Sequence, residues 1–165
     1  MNRTRNSLPS AVRKEAIALL NCAVAELFDL FARIKQAHWN VRGTTFIGLH
    51  KLLDEFAVRI MGHIDLAAER ATALGGIVEG TLRESAKHSR LKPKEEPPSI
   101  SNISDWIHEL ADIHAVSGEH VRANVKTLTG AGDFATADLL TDILRTLDLQ
   151  LWLLEAHLNR QTTAT

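Results

Sequence analysis

Four long segments of this chain carry apolar side chains at the three- and four-residue spacing of a single helix face. They run over residues 10–38, 45–74, 102–128 and 133–159. Glycine and proline are sparse and clustered, and tyrosine is absent, a composition that favours helices over sheet. Each helix must bury its apolar face against another element, so the pattern predicts an all-α bundle.

The lengths of the connections between these segments indicate the topology. Short turns join the first segment to the second and the third to the fourth, so each of these pairs is expected to be antiparallel. A polar stretch with three prolines, residues 75–101, joins the two pairs, and residues 81–89 within it are able to form a short helix. The sequence therefore predicts a ferritin-like four-helix bundle with one long crossover that contains a short extra helix. It is expected to be a single domain over residues 1–165, with a tail at 1–9 and a frayed end at 161–165.

The composition excludes several classes of protein. Apolar residues make up 45% of the chain and charged residues 24%, as in ordinary soluble domains. The formal net charge is −1, so no global basic field attracts nucleic acid. Cys22 is the only cysteine, which rules out an internal disulfide or a Cys-rich metal site, and it is expected to be buried. No apolar run approaches the ~18 residues of a membrane helix, and a signal peptide is not indicated, so we expect a cytoplasmic protein.

The second helical segment carries an unusual set of possible metal ligands. His50 and Asp54 are four residues apart, and so are Asp65 and Glu69, so each pair shares a helix face. The eleven residues from Asp54 to Asp65 return the helix to about the same angle, which places all four side chains on one flank. His38 ends the first segment, and an antiparallel hairpin brings it close to His50 and Asp54. Two imidazoles and a carboxylate suit iron, zinc or copper.

The spacing along the helix divides these ligands into two groups. At 1.5 Å per residue, Asp54 and Asp65 are about 17 Å apart, whereas the ligands of one metal each lie within about 2 Å of it. One chain therefore carries two half-sites. A two-fold related copy could place its Asp65 and Glu69 against His38, His50 and Asp54 of the first. Taken singly, each residue is better explained by a solvated helix face or an ordinary satisfied side chain, and only the whole set on a flank bordered by small apolar residues favours a metal site.

The segment that holds these residues resembles the Dps family, the mini-ferritins known as DNA-binding proteins from starved cells. The similar stretches are KQAHWNVRGTTFIGLHKLLDEF and HIDLAAERATALGG within residues 35–76, and DFATADLLTDILRTLDLQLWLLEAHL at the last helix. The resemblance covers nearly the whole chain. It implies a homo-oligomer, a hollow dodecamer that oxidises Fe(II), preferably with hydrogen peroxide, and stores the ferric mineral.

Carried over by position, the resemblance also assigns residues to this chemistry. The ferroxidase ligands are His38, His50 and Asp54 from one subunit, with Asp65 and Glu69 from its two-fold partner. Trp39 matches the tryptophan that the family places beside the site. Iron is the implied metal, and zinc or other divalent ions are expected to substitute for it.

Two further features stay open between a functional and a structural interpretation. Asp133, Asp138 and Asp142 match a family pattern of acidic residues along an iron-entry pore, but acids at the start of a helix also complement its dipole, with Asp133 as the N-cap. The tail carries Arg3 and Arg5, whereas DNA-binding tails in the family are lysine-rich. DNA is therefore a possible but not a favoured partner, and no membrane partner is expected.

Three functional hypotheses remain at this point. The first is a ferroxidase mini-ferritin in the cytoplasm, either free or associated with the nucleoid, that protects the cell and its DNA from oxidative damage. The second is a nucleoid-binding architectural protein with secondary iron activity, and the third is a purely structural helical assembly. A classical ferritin is disfavoured, because the Glu-x-x-His motif of di-iron sites inside the bundle is absent. Trp106 and Trp152 are expected to lie in the core.

Overall fold

The computed structural model describes residues 1–92 and 102–158 of the chain. Five helices occur in this part, and no strands. They are α1 (Ser10–Asn40), α2 (Phe46–Ala73), α3 (Leu82–His88), α4 (Ile103–Gly130) and α5 (Phe134–Leu158). Each helix end lies within two residues of the predicted limit, and the predicted all-α class is confirmed. The expected frayed end and part of the crossover lie outside the described residues.

The four long helices form two hairpins that share one core. Helix α1 packs mainly against α2, and α4 packs mainly against α5, with further contacts between α1 and α4 and between α2 and α5. The buried stripe of each helix consists of the leucines and isoleucines that set its periodicity, and burying each of these side chains is worth about 1.5–3 kcal/mol. The largest fully buried side chains include Leu20, Leu27, Leu53, Ile60 and Ile143.

The turn between α1 and α2 is short and has a defined shape. The backbone N–H of Val41 donates to the carbonyl of Ala37 and closes α1. Gly43 has φ +115°, a left-handed conformation that glycine adopts without steric cost. The turn needs only five residues between Asn40 and Phe46, so the end of α1 lies beside the beginning of α2.

The start of the crossover is tied to α1. Helix α3 packs on α1 and is capped by Thr81, whose side chain accepts the backbone N–H of Glu84. Beyond α3, Ser89 Oγ donates to Asp29, and Arg90 pairs with the buried carboxylate of Glu26. This segment is therefore a fixed element of the described fold.

Two expectations about single side chains are wrong. Trp106 is buried as predicted, but Trp152 on α5 is 60% exposed in the single chain. Its indole lies on the outer side of the helix, opposite the leucines that face the core. Cys22 is half-buried. Apolar periodicity located the buried face of each helix correctly but did not predict the burial of residues at the edges of that face.

Candidate metal centre

The α1–α2 turn brings His38 and His50 into direct contact. Their rings stack with centroids 3.7 Å apart and planes inclined by 21°. Nδ1 of His38 lies 2.9 Å from the backbone carbonyl oxygen of His50, and Nδ1 of His50 lies 2.9 Å from the carbonyl oxygen of His38. Each imidazole is therefore held by the backbone of the other residue.

These two hydrogen bonds determine the tautomers of the pair. A carbonyl oxygen only accepts, so Nδ1 must carry the proton in both rings. In the neutral rings the lone pairs are therefore on the Nε2 atoms, the form in which histidine binds a metal, and the hydrogen bond at the other nitrogen holds each ring in orientation. The pair consequently offers two oriented nitrogen donors from one short turn.

Asp54 lies one helical turn beyond His50 and is ionised. Nζ of Lys35 is 2.7 Å from its Oδ1. The hydrogen bond and the charge of Lys35 together lower the pKa of Asp54, and the nearby His38 and His50 contribute in the same direction. Nζ of Lys35 also lies 6.0 Å from the ring centroid of the exposed Trp39. A metal bound at Oδ1 would have to displace this ammonium group.

Asp65 and Glu69 do not join this group within the chain. By the rise of the helix, Asp65 lies about 17 Å and Glu69 about 22 Å beyond Asp54 along α2, and both are exposed. Among the described residues, the ligand atoms of the five predicted positions do not converge into one cluster. The single chain thus has a two-histidine, one-carboxylate end and a two-carboxylate end on the same helix.

An apolar strip separates the two ends. Val58 is 69% exposed and Met61 39% exposed, both between Asp54 and Asp65 on the outer side of α2. Next to Asp65 a groove of about 440 Å³ is lined largely by apolar side chains, including Phe28, Met61 and Val78. Exposed apolar surface flanked by charged residues is typical of a protein–protein interface.

The three predicted pore residues have different environments. Asp133 is 1% exposed, and its Oδ1 accepts from Nη2 of Arg70 at 2.9 Å and from the backbone N–H of Thr136 at 3.1 Å. It is thus the N-cap of α5, the structural alternative considered for it. Asp138 and Asp142 are exposed, and Asp142 pairs with Arg145 at 3.0 Å. Only these last two are accessible in the single chain.

Two groups were not found from the sequence. His114 is buried in the core, with Nδ1 2.7 Å from the carbonyl of Leu110 and Nε2 3.0 Å from the side-chain oxygen of Gln150. Burial lowers its pKa.

The second group is Glu79, Glu84 and His88, whose ligand atoms all lie within 4.8 Å of one another. The four-residue spacing of Glu84 and His88 was a signal for it, but Glu79 comes from outside the helix.

Comparisons with known proteins agree on one family. The ferritin-like domain model matches residues 17–163. A DNA protection during starvation protein of Agrobacterium fabrum is 38% identical over 161 residues, covering 98% of both chains. A protein of the same name from Brevibacillus brevis is 31% identical over 92% of this chain and 99% of its own. The solved structure of DpsC from Streptomyces coelicolor superposes with a TM-score of 0.90 at 28% identity, covering 99% of this chain and 95% of that one. None of the described helices is long and apolar enough to cross a membrane.

Proposed function

Because the chain belongs to the ferritin-like family, and within it to the DNA protection during starvation (Dps) proteins, we propose that it is a ferroxidase and iron-storage mini-ferritin. The observation that carries this proposal is the reciprocal pair of His38 and His50. It leaves two Nε2 lone pairs beside the ionised carboxylate of Asp54. No resident cofactor is needed, because iron is the substrate.

The donor set suits iron in both oxidation states. Imidazole nitrogens bind Fe(II), whereas carboxylates prefer the harder Fe(III) and so favour oxidation. We propose hydrogen peroxide as the preferred oxidant. Two Fe(II) ions at one site each give up one electron, the O–O bond breaks, and two hydroxide ions form without release of a hydroxyl radical. Zinc or another divalent ion bound to the same donors would inhibit this reaction.

The proposed complete site needs two subunits. The exposed strip of Val58 and Met61 lies between the two half-sites, so a two-fold related copy that covers this strip would bring its Asp65 and Glu69 to the histidine end. Two such sites would form per dimer, and we propose that six dimers assemble into a hollow dodecamer. Asp138 and Asp142 would then line an entry path for iron, and Trp39 would border the site.

The test of this proposal is an anaerobic Fe(II) titration followed by addition of peroxide. Asp65→Ala is expected to lose the fast oxidation phase, because the second half-site is gone. Glu55→Ala is the matched control, since it removes an exposed carboxylate from the same helix outside the predicted set. Equal oxidation rates in the wild type and Asp65→Ala would contradict the proposed site.

Direct DNA binding is the alternative activity, suggested by the name of the relatives and by the exposed Arg3 and Arg5. The tail that carries these arginines is held at the end of α2, where the backbone N–H of Asn2 donates to the carbonyl of Gly75 at 2.6 Å. We propose that DNA protection follows from removal of iron and peroxide. A salt-dependent gel shift that disappears when residues 1–8 are deleted would favour the architectural function instead.

A further inference from the structure

A second group of metal-binding side chains lies at the start of the crossover. Nε2 of His88 is 3.3 Å from Oε2 of Glu84 and 3.9 Å from Oε2 of Glu79. The ligand atoms of these three side chains all lie within 4.8 Å of one another, and no other group of three or more such side chains does so among the described residues. It shares no residue with the proposed ferroxidase site.

The backbone holds these three side chains in place from two segments. Glu84 and His88 are four residues apart on α3, so they share its face. Glu79 precedes the helix, and its backbone N–H donates to Oδ1 of Asn21 on α1. Because α3 is also tied to α1 beyond its end, through Ser89 and Asp29, the group does not depend on a free loop.

We propose that Glu79, Glu84 and His88 bind a divalent first-row transition metal such as Zn²⁺. An imidazole with two carboxylates is a donor set for these ions, whereas Mg²⁺ and Ca²⁺ prefer oxygen alone. Bonds of about 2.0–2.1 Å in a tetrahedral site put ligand atoms roughly 3.3 Å apart. The 3.3 and 3.9 Å separations need only small side-chain movements to meet this geometry, and water would supply the fourth ligand.

The competing explanation is a surface ion pair in which His88 is protonated. All three side chains are at least one-third exposed, and ion pairs at such positions add little to stability. Lys87 discriminates between the two explanations. Its Nζ lies 3.7 Å from Oε2 of Glu84, so it competes with a metal for that carboxylate. If the group is a metal site, removing Lys87 should strengthen metal binding. If it is only a network of ion pairs, removing Lys87 should weaken that network.

Calorimetric titration with Zn²⁺ of the full chain tests the proposal. The titrations are made in a His50→Ala background, which removes a ligand of the proposed ferroxidase site. Adding His88→Ala is expected to abolish one zinc equivalent per chain, and adding Glu79→Gln or Glu84→Gln should weaken that equivalent by at least about tenfold. His108→Ala, which removes an exposed histidine on α4, is the matched control and should leave it unchanged. Lys87→Ala should tighten it.

Co²⁺ absorption gives a second readout. The d–d bands of Co²⁺ are expected in the His50→Ala protein and not in the variant that also carries His88→Ala. If His88→Ala and His108→Ala bind the same number of zinc equivalents with the same affinity, the group is only an ion pair and the proposal is wrong. In the otherwise wild-type chain, His88→Ala should oxidise iron at the normal rate. The absence of a zinc site at His88 and the absence of ferroxidase activity can therefore be told apart.

Discussion

His38 and His50 each hold the other's imidazole ring, because the Nδ1 atom of each donates to the backbone carbonyl of the other at 2.9 Å. The two rings also stack at 3.7 Å between centroids. Neither ring can turn without losing both its hydrogen bond and its stacking partner. The pair should therefore act as one unit in binding metal, with both Nε2 atoms presented together.

This coupling predicts a non-additive double variant. His38→Ala and His50→Ala should each slow peroxide-dependent Fe(II) oxidation by at least about 10- to 100-fold, and the double variant should be little slower than either. Stopped-flow absorbance of ferric product measures the rates. The control is His157→Ala, since Nδ1 of His157 also lies near a backbone carbonyl, that of Leu153 at 2.7 Å, but His157 is an exposed residue of α5 outside the predicted site. Losses that multiply in the double variant would contradict a coupled pair.

Lys35 is predicted to restrain metal binding at Asp54. Its ammonium group occupies Oδ1 at 2.7 Å, so Lys35→Met should tighten Zn²⁺ or Fe(II) binding by roughly two- to fivefold, within the range of exposed ion pairs. The gain should shrink as salt is added, because salt screens the pair that is removed. Anaerobic titration calorimetry measures the affinity, with Lys126→Met on α4 as the control. Weaker binding in Lys35→Met would mean that the lysine supports the site.

Mixing two inactive variants tests whether the site is shared between subunits. His50→Ala and Asp65→Ala homo-oligomers should each lack fast oxidation. In a random co-assembly half of the dimers are mixed, and each mixed dimer contains one intact site of two, so about a quarter of wild-type activity should return. The same variants assembled separately and then combined are the control. No recovery after co-assembly would contradict a site shared between two-fold related subunits.

Substitutions of Asp133 and Asp138 are predicted to affect different properties. Asp133 should matter for the stability of the fold, and Asp138 for the entry of iron. Asp133→Ala removes the N-cap of α5 and leaves the half-buried Arg70 without its carboxylate partner, which should cost about 2–4 kcal/mol in the free energy of unfolding. Asp138→Ala should cost no more than about 0.5 kcal/mol, as usual for an exposed residue, but should slow iron uptake. Denaturant midpoints and uptake rates are measured on both. If Asp133→Ala were as stable as the wild type but took up iron slowly, Asp133 would be a pore residue and not only an N-cap.

His114 is predicted to make stability fall in mild acid. Burial lowers its folded-state pKa below the ordinary 6.5, so between those two values the unfolded chain binds the extra proton. Its contribution is fully present above pH 6.5 and is lost as the pH falls from 6.5 toward the folded pKa, with a limiting slope of about 1.4 kcal/mol per pH unit.

The matched variant for this pH effect is His114→Gln, which keeps a polar side chain next to Gln150 but does not titrate. Its denaturant midpoint should fall less than that of the wild type between pH 6.5 and 5.5. Burial also lowers the pKa of His63, but His63 is present in both proteins and cancels in the difference. Parallel midpoints in the two proteins would contradict a neutral buried His114.

Much of the fold was predictable because helix periodicity and turn chemistry are local properties. Apolar spacing located the four long helices, and Gly75, with φ +91°, follows the end of the second one. The distance between Asp54 and Asp65 also followed from the sequence, since the rise of a helix does not depend on its neighbours. Trp152 shows the limit of this reasoning, because apolar character did not indicate whether its side chain faced the core.

The sequence by itself determined which residues lie on each helix face, and therefore that the five proposed ligands fall into two groups on α2 and the end of α1. Only the tertiary structure decided how those residues are paired. The contacts of Lys35 with Asp54, Arg70 with Asp133, and Glu79 with His88 join segments that are not on one helix. Such contacts depend on how separate elements pack, and no local pattern along the chain specifies the angle and depth at which two helices meet.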